Sequence, residues 1–265
     1  MLYPLSATKL LEYHRCPQAY YFKYERGLKA NAFFKSPLLG KALHAALARI
    51  YGDWNYTEPL PNLDWIHFCW QRVNNELTPD LSAQGLEILE AYYYQYIAIL
   101  PALRKPLAVE GKIQARLNLC NIEFKITGRY DRIDWLDDGL ELIDYKTSRK
   151  IPQFEPDEID LQLGLYYLAL EQRYKKSLVQ MSLLYIQLGE PITFEASPEH
   201  KQQAELTIGG LAAQLRTDSE WEPIPGHHCD RCSYTPYCPA MTASPEPLPK
   251  SAKDQRPLQL TLGLD

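Results

Sequence analysis

No apolar run in this chain is long enough to cross a bilayer, and its first residues lack the apolar stretch of a secretory signal. A soluble, cytoplasmic protein with no membrane partner is therefore the expectation. Excess positive charge is missing too: 28 Lys and Arg stand against 33 Asp and Glu, a formal net charge of −5. That balance argues against a uniformly basic nucleic-acid binder. The charge is nevertheless uneven. Residues 1–50 hold eight Lys/Arg against Glu12 and Glu25, a local +6 that leaves −11 for the remainder. A basic segment beside an acidic site suits a phosphate-backbone substrate, although solvated helix faces carry such lysines as well. Internal repeats are absent. So is the G-x-x-x-x-G-K-[ST] loop of nucleotide-driven motors, and any motor would have to come from a partner.

What is present is a 265-residue chain with 46% hydrophobic residues, enough for one large domain with a helical elaboration. A helix is expected over Leu5–Tyr24 with Ser6 as its N-cap, and a second over Leu38–Tyr51. Pro59 and Pro61 mark a loop before helical stretches near 64–77 and 82–100. Strands follow near 107–118, 122–135 and 140–147, then a helix over 158–175, strands near 179–188 and 191–195, and a helix over 198–215. This order is mixed α/β, a central sheet flanked by helices. One domain over 1–241, with a helical insertion at about 52–104, is expected to precede a tail at 242–265. Its proline-rich part, about 242–258, reads as a flexible linker.

The most informative stretch is Gly128–Ser148, two strands around a turn at Asp137-Asp138-Gly139. In Ile143-Asp144-Tyr145-Lys146 the alternation of a strand puts Asp144 and Lys146 on one face, roughly 6.5 Å apart at the backbone. Asp131 on the preceding strand adds a carboxylate if the two strands pair, while Asp134 would face the other way. Two carboxylates able to hold a divalent ion, with a lysine beside them, form an apparatus for phosphodiester hydrolysis. A lone D-x-K is also what a solvated surface pair looks like. Its neighbours decide the matter.

GRYDRID followed by LIDYKTS resembles the PD-(D/E)XK nuclease superfamily in its RecB-like exonuclease branch, and the resemblance runs from Leu5 to about Pro239. It implies a restriction-endonuclease-like core and metal-dependent hydrolysis of DNA single strands or ends, in repair or recombination. It also implies roles for individual residues. His44, in Gly40-Lys41-Ala42-Leu43-His44, matches a metal ligand, and Glu110 an acidic residue before the hairpin. Gln162 and Tyr166, four apart on one helix face, match residues that line the site. Mg²⁺ or Mn²⁺ would then be held by His44, Asp131, Asp144 and the Tyr145 carbonyl, with Lys146 orienting the attacking water. The rivals are a Cas4-like trimming nuclease and a catalytically silent iron–sulfur scaffold; the intact His, Asp, Asp and Lys set speaks against the second.

Of six cysteines, Cys229, Cys232 and Cys238 follow C-x2-C-x5-C in a proline-interrupted loop, with Cys16 more than two hundred residues upstream. Such spacing is typical of metal thiolates. Zinc, with His228 as a further donor, is one reading of it and a disulfide another, the latter disfavoured in the cytoplasm. A distant cysteine ahead of this trio resembles the iron–sulfur staple of AddB- and Cas4-type nucleases, which implies a [4Fe-4S] cluster on all four. Cys69 and Cys120 read as ordinary buried thiols. The last residues, Gln259-Leu260-Thr261-Leu262-Gly263-Leu264, resemble a sliding-clamp-binding peptide behind a linker.

Overall fold

A serine starts the first helix and a proline stops it. Ser6 accepts the Lys9 N–H at 3.3 Å and opens α1 (Ala7–Arg15). Cys16 precedes Pro17, whose ring disfavours helical backbone in the residue before it, and Cys16 is extended (φ −167°, ψ 108°). The chain restarts as α2 (Pro17–Tyr20) and a π-helical turn, Tyr21–Glu25. The unbroken helix expected over Leu5–Tyr24 is therefore interrupted at Cys16. A computed structural model describes residues 3–29, 38–119, 122–152, 160–174 and 177–253.

Three more helices precede the main strands: α3 (Leu38–Gly52), α4 (Leu63–Gln71) and α5 (Pro79–Tyr96). Asn62 caps α4 through the Trp65 N–H at 3.0 Å, and Thr78 with Pro79 starts α5 three residues earlier than expected. The strands are β1 (Tyr3–Leu5), β2 (Ala108–Leu119), β3 (Ile122–Trp135), β4 (Leu140–Lys146), β5 (Leu178–Tyr185) and β6 (Glu190–Glu195). They form one mixed sheet in the order β1-β3-β4-β5-β6, with β2 antiparallel to β3 along its other edge. Helix α6 (Leu161–Tyr174) connects the parallel neighbours β4 and β5. Helix α7 (Pro198–Thr217) follows the sheet.

Both faces of the sheet are covered. Leu142, Met181 and Leu183 pack with α6 and α7, whereas Ile143, Tyr145 and Leu184 pack with α3, α4 and α5. That double cover explains why Met181–Ile186 is buried without alternation. A third cluster joins Cys16, Phe22 and Leu28 to Tyr234 and Cys238. Residues 242–253 belong to the stretch expected as a flexible linker and are mostly exposed. Leu248 and Ala252 pack on that third cluster, and Lys253 N–H donates to Arg26 O at 2.8 Å. No helix among the described residues is long and apolar enough to cross a membrane.

Candidate active site

The hairpin of β3 and β4 comes apart where its carboxylates lie. Pairing runs from Trp135↔Leu140 to Arg132↔Ile143 and ends there, while β4 continues against β5 as far as Lys146↔Tyr185. Asp131 and Asp144 occupy the next position on each strand. Side chains take over from the ladder: Tyr145 N–H donates to Asp131 Oδ2 at 2.7 Å, and His44 Nδ1 lies 3.0 Å from Asp131 Oδ1. On the other edge of β3, Glu110 faces Asp131 at the one step that is unpaired between Val109↔Arg132 and Gly111↔Tyr130. Its φ of +50° is a left-handed conformation that a side chain rarely adopts, the kind of local strain found at functional positions. One ligand atom each from His44, Glu110 and Asp131 lies within 4.8 Å of the others.

Asp144 belongs to a second, adjoining group. It is 4% exposed; its Oδ2 is 2.7 Å from Lys146 Nζ and its Oδ1 accepts from Gln162 Nε2 at 2.6 Å. Lys146 Nζ also donates to Gln162 Oε1 at 3.0 Å, which closes a three-membered ring of side chains. Helix α6 supplies Gln162 from its first turn, where Asp160 Oδ1 accepts the N–H groups of Gln162 and Leu163 at 2.9 and 3.0 Å. One turn on, Tyr166 Oη lies 3.4 Å from Gln162 Nε2 and donates to Arg129 O at 2.9 Å. Gly128 makes room for that ring, since a Cβ there would lie 2.8 Å from Tyr166 Cε1.

The electrostatics describe a site short of positive charge. Burial drives Asp144 from 3.8 up to about 6, with Lys146 opposing and Asp131 reinforcing the shift. Burial and the Asp131 charge likewise raise Glu110 against the pull of Arg129, which donates to Glu110 Oε2 at 3.0 Å. For His44, burial favours the neutral ring, but the hydrogen bond and charge of Asp131, with Asp144 and Glu110, outweigh it and raise the pKa. Lys146 is raised too: burial would lower it, and Asp144 and Asp160 prevail. Crowded carboxylates beside an imidazole are a donor set that suits a hard divalent cation.

The structure thus gathers His44, Glu110 and Asp131 in one group and Asp144, Lys146, Gln162 and Tyr166 in another, with the Tyr145 N–H joining them. Asp160, Arg129 and Arg132 were missed from sequence. Asp160 fell inside the helix expected over 158–175; the helix starts at Leu161, which leaves Asp160 just before its first turn. Asp134 stands on the reverse face and pairs with Arg132 at 3.0 Å.

Cys16, Cys229, Cys232 and Cys238 line one small cavity with Phe22 and Tyr234. All four are free thiols, so no disulfide forms among them. Burial raises the Cys232 thiol, and the charges of Cys16, Cys229 and Cys238 add to it. Among the described residues no three of these sulfurs lie within 4.8 Å of one another. A zinc tetrahedron with Zn–S near 2.3 Å needs sulfurs only about 3.8 Å apart. His228 Nε2 is buried at the same cavity without a hydrogen-bond partner. Cys69 lies apart from this group; it is fully buried and its thiol is pushed up to about 12 by that burial. Cys120 and the Gln259–Leu264 segment fall outside the described residues.

The family model for the PD-(D/E)XK nuclease superfamily matches residues 4–239. Among curated proteins, a subunit of the ATP-dependent helicase/deoxyribonuclease of Clostridium acetobutylicum is 23% identical over 232 residues, covering 71% of this chain and 20% of the relative. The chain therefore spans about a fifth of that relative's length. Among solved structures, the crystal structure of SSO0001 aligns at 18% identity with a TM-score of 0.39, covering 77% of this chain and 95% of that one.

Proposed function

The chain belongs to the PD-(D/E)XK nuclease superfamily, and on that premise we propose that it is a divalent-metal-dependent deoxyribonuclease, an exonuclease on single strands or ends in repair or recombination. The observation that carries the reading is the meeting of two side-chain groups where β3 and β4 part. One is a set of metal donors, and the other is a lysine held on a buried aspartate. His44, Glu110 and Asp131 would hold Mg²⁺ or Mn²⁺ together with Asp144 and the Tyr145 carbonyl. The bound ion would acidify a water and neutralise charge gathering on the phosphate.

The chain's own groups do the positioning. Gln162 fixes the Lys146 amine through Oε1 and Asp144 through Nε2, so both face one reacting centre without reorganising. Lys146, kept protonated by Asp144 and Asp160, can direct a water with its charge and steady an oxyanion on phosphorus. Tyr166, anchored to Arg129 O, walls the site on the α6 side. The basic first 50 residues supply attraction for a DNA backbone.

A [4Fe-4S] cluster on Cys16, Cys229, Cys232 and Cys238 is part of the proposal. The four thiols share one apolar cavity, which is what supports this reading over four unrelated cysteines. Such a cross-link would tie α1 and α2 to the last lobe and close a loop of over two hundred residues, where restraint of the unfolded chain is greatest. A helicase partner is proposed from the curated relative, whose name joins both activities.

The test is digestion of end-labelled single- and double-stranded DNA by anaerobically purified protein with Mg²⁺ or Mn²⁺, beside Asp144→Asn. Cleavage that needs the metal and vanishes in the variant is expected, and the product ladder gives its polarity. Equal inertness of both proteins with either ion would sink the reading.

A further inference from the structure

Arg132 is a charged residue with only 7% of its surface exposed, and none of the proposed chemistry uses it. Strand alternation turns it away from Asp131, onto the reverse face of the sheet, where it lines a cleft of about 580 Å³. It cannot touch a substrate held at Asp131 and Asp144. Its contacts nevertheless lead back to each group of the site. Nη1 donates to Tyr145 Oη at 2.7 Å, and Tyr145 adjoins Asp144 on β4. The guanidinium lies 3.9 Å over the ring of Tyr51, which sits on α3 two turns beyond His44 and therefore on the same face. Nη1 also reaches Tyr92 Oη on α5 at 3.2 Å, and Tyr92 Oη lies 2.7 Å from Tyr51 Oη. Asp134 fixes the other end of the fork at 3.0 Å.

We propose that Arg132 is a positioning residue that sets the separation of His44, Asp131 and Asp144 before any ion or substrate arrives. The inference rests on the metal-dependent nuclease reading. Each of the three elements that supplies one of those side chains meets at this one guanidinium: α3 through Tyr51, β3 through its own backbone and β4 through Tyr145. The tie is needed because the β3–β4 ladder stops at Arg132↔Ile143, one residue short of both aspartates. Across that gap on the catalytic face the strands are joined by the Tyr145 N–H to Asp131, and on the reverse face by Arg132 to Tyr145. A planar fork can serve several partners at fixed angles, which a lysine's point charge cannot.

The test is Mn²⁺ affinity, read from the electron paramagnetic resonance of free Mn²⁺, together with the Mn²⁺ dependence of DNA cleavage. Tyr145→Phe removes one hydroxyl and keeps the ring and the backbone carbonyl. Disturbing groups behind metal ligands typically weakens metal binding 10–100-fold. For Tyr145→Phe we expect Mn²⁺ affinity to fall by about 10-fold, the half-saturating Mn²⁺ for cleavage to rise by the same factor, and the rate to recover at excess Mn²⁺. Tyr51→Leu should do the same from α3, and Arg132→Lys should not rescue although it keeps the charge. Tyr145→Phe and Tyr51→Leu with wild-type Mn²⁺ affinity, whatever their melting temperatures, would overturn the assignment, as would a fully competent Arg132→Lys. Wild-type Mn²⁺ binding that Asp131→Asn abolishes establishes the metal reading separately; wild-type protein that binds no Mn²⁺ defeats both.

Discussion

Replacing Asp144 with asparagine should stabilise the metal-free protein while destroying its activity. Burial holds this carboxyl at about 6 instead of 3.8, and each pKa unit is worth about 1.4 kcal/mol. Keeping Asp144 ionised at pH 7.5 therefore costs the fold about 3 kcal/mol. Asparagine removes that charge in nearly the same volume. It offers one carbonyl oxygen to two donors, Gln162 Nε2 and Lys146 Nζ, so one hydrogen bond is lost, about 1 kcal/mol. The balance is about 2 kcal/mol in favour of the variant, or roughly 4–8 °C in melting temperature for a chain of this size. The gain must also depend on pH with a definite sign. An acid whose folded pKa lies above its unfolded one weakens the fold wherever the unfolded chain is ionised. The penalty is absent below 3.8, grows through the window up to about 6 and is complete above it. At pH 5 it falls to about half, and the variant's advantage shrinks to under about 1 kcal/mol. Thermal melts of both proteins in EDTA at pH 7.5 and 5 decide the question. A variant that melts below wild type at pH 7.5, or a gap that ignores pH, would refute the account of Asp144 as a strained, buried charge waiting for a cation.

Lys146→Ala should abolish cleavage of labelled DNA while gel-shift binding and circular dichroism stay near wild type; wild-type turnover would remove Lys146 from the mechanism. Cys232→Ser should lose brown colour, iron content and thermal stability together, and a folded variant with full iron would overturn the cluster. Gly128→Ala sets a Cβ 2.8 Å from Tyr166 Cε1, so overpacking should cost about 1–3 kcal/mol in urea unfolding. In a double-mutant cycle Gly128→Ala should cost less in a Tyr166→Ala background than in wild type, and an equal cost in both would mean the glycine serves the backbone instead of the ring.

The sheet and its helices were legible because each obeys one period over many residues. The strands expected over 122–135 and 140–147 lie within a residue of Ile122–Trp135 and Leu140–Lys146, and the helix expected over 198–215 is α7. Parts of the site were legible for a similar local reason: the two-residue spacing of Asp144 and Lys146 and the four-residue spacing of Gln162 and Tyr166 each specify a shared face. What stayed hidden depends on distance in space. Nothing near Arg129 or Arg132 in sequence says that one meets Glu110 and the other meets tyrosines on α3, α5 and β4. The three-residue strand β1 is too short for any period to announce it, and it forms because Tyr3–Leu5 finds a free edge of β3 at Phe124–Ile126. The packing of Leu248 and Ala252 was hidden by composition, since a proline-rich segment reads as solvated until the apolar cluster it covers is known.

The places where periodicity fails are also the places where the chemistry collects. Cys16 lines the cavity of the other three cysteines from the extended residue that Pro17 imposes between α1 and α2. Glu110 reaches the vicinity of Asp131 and His44 from a residue with φ +50°, at the single unpaired step of an otherwise continuous β2–β3 ladder. Asp131 and Asp144 stand one residue past the end of the β3–β4 pairing. Regular ladders satisfy their own backbone groups and leave no gap for a ligand, so a site must be made where they stop. The cost of stopping is met by side chains: Asp131 accepts the N–H that Tyr145 no longer gives to β3, and Arg132 spans the same gap from behind. Polar residues buried on both faces of a strand end, in a sheet whose other buried side chains are mostly aliphatic and aromatic, are therefore what a site needs if its carboxylates are to stay close while unpaired with one another.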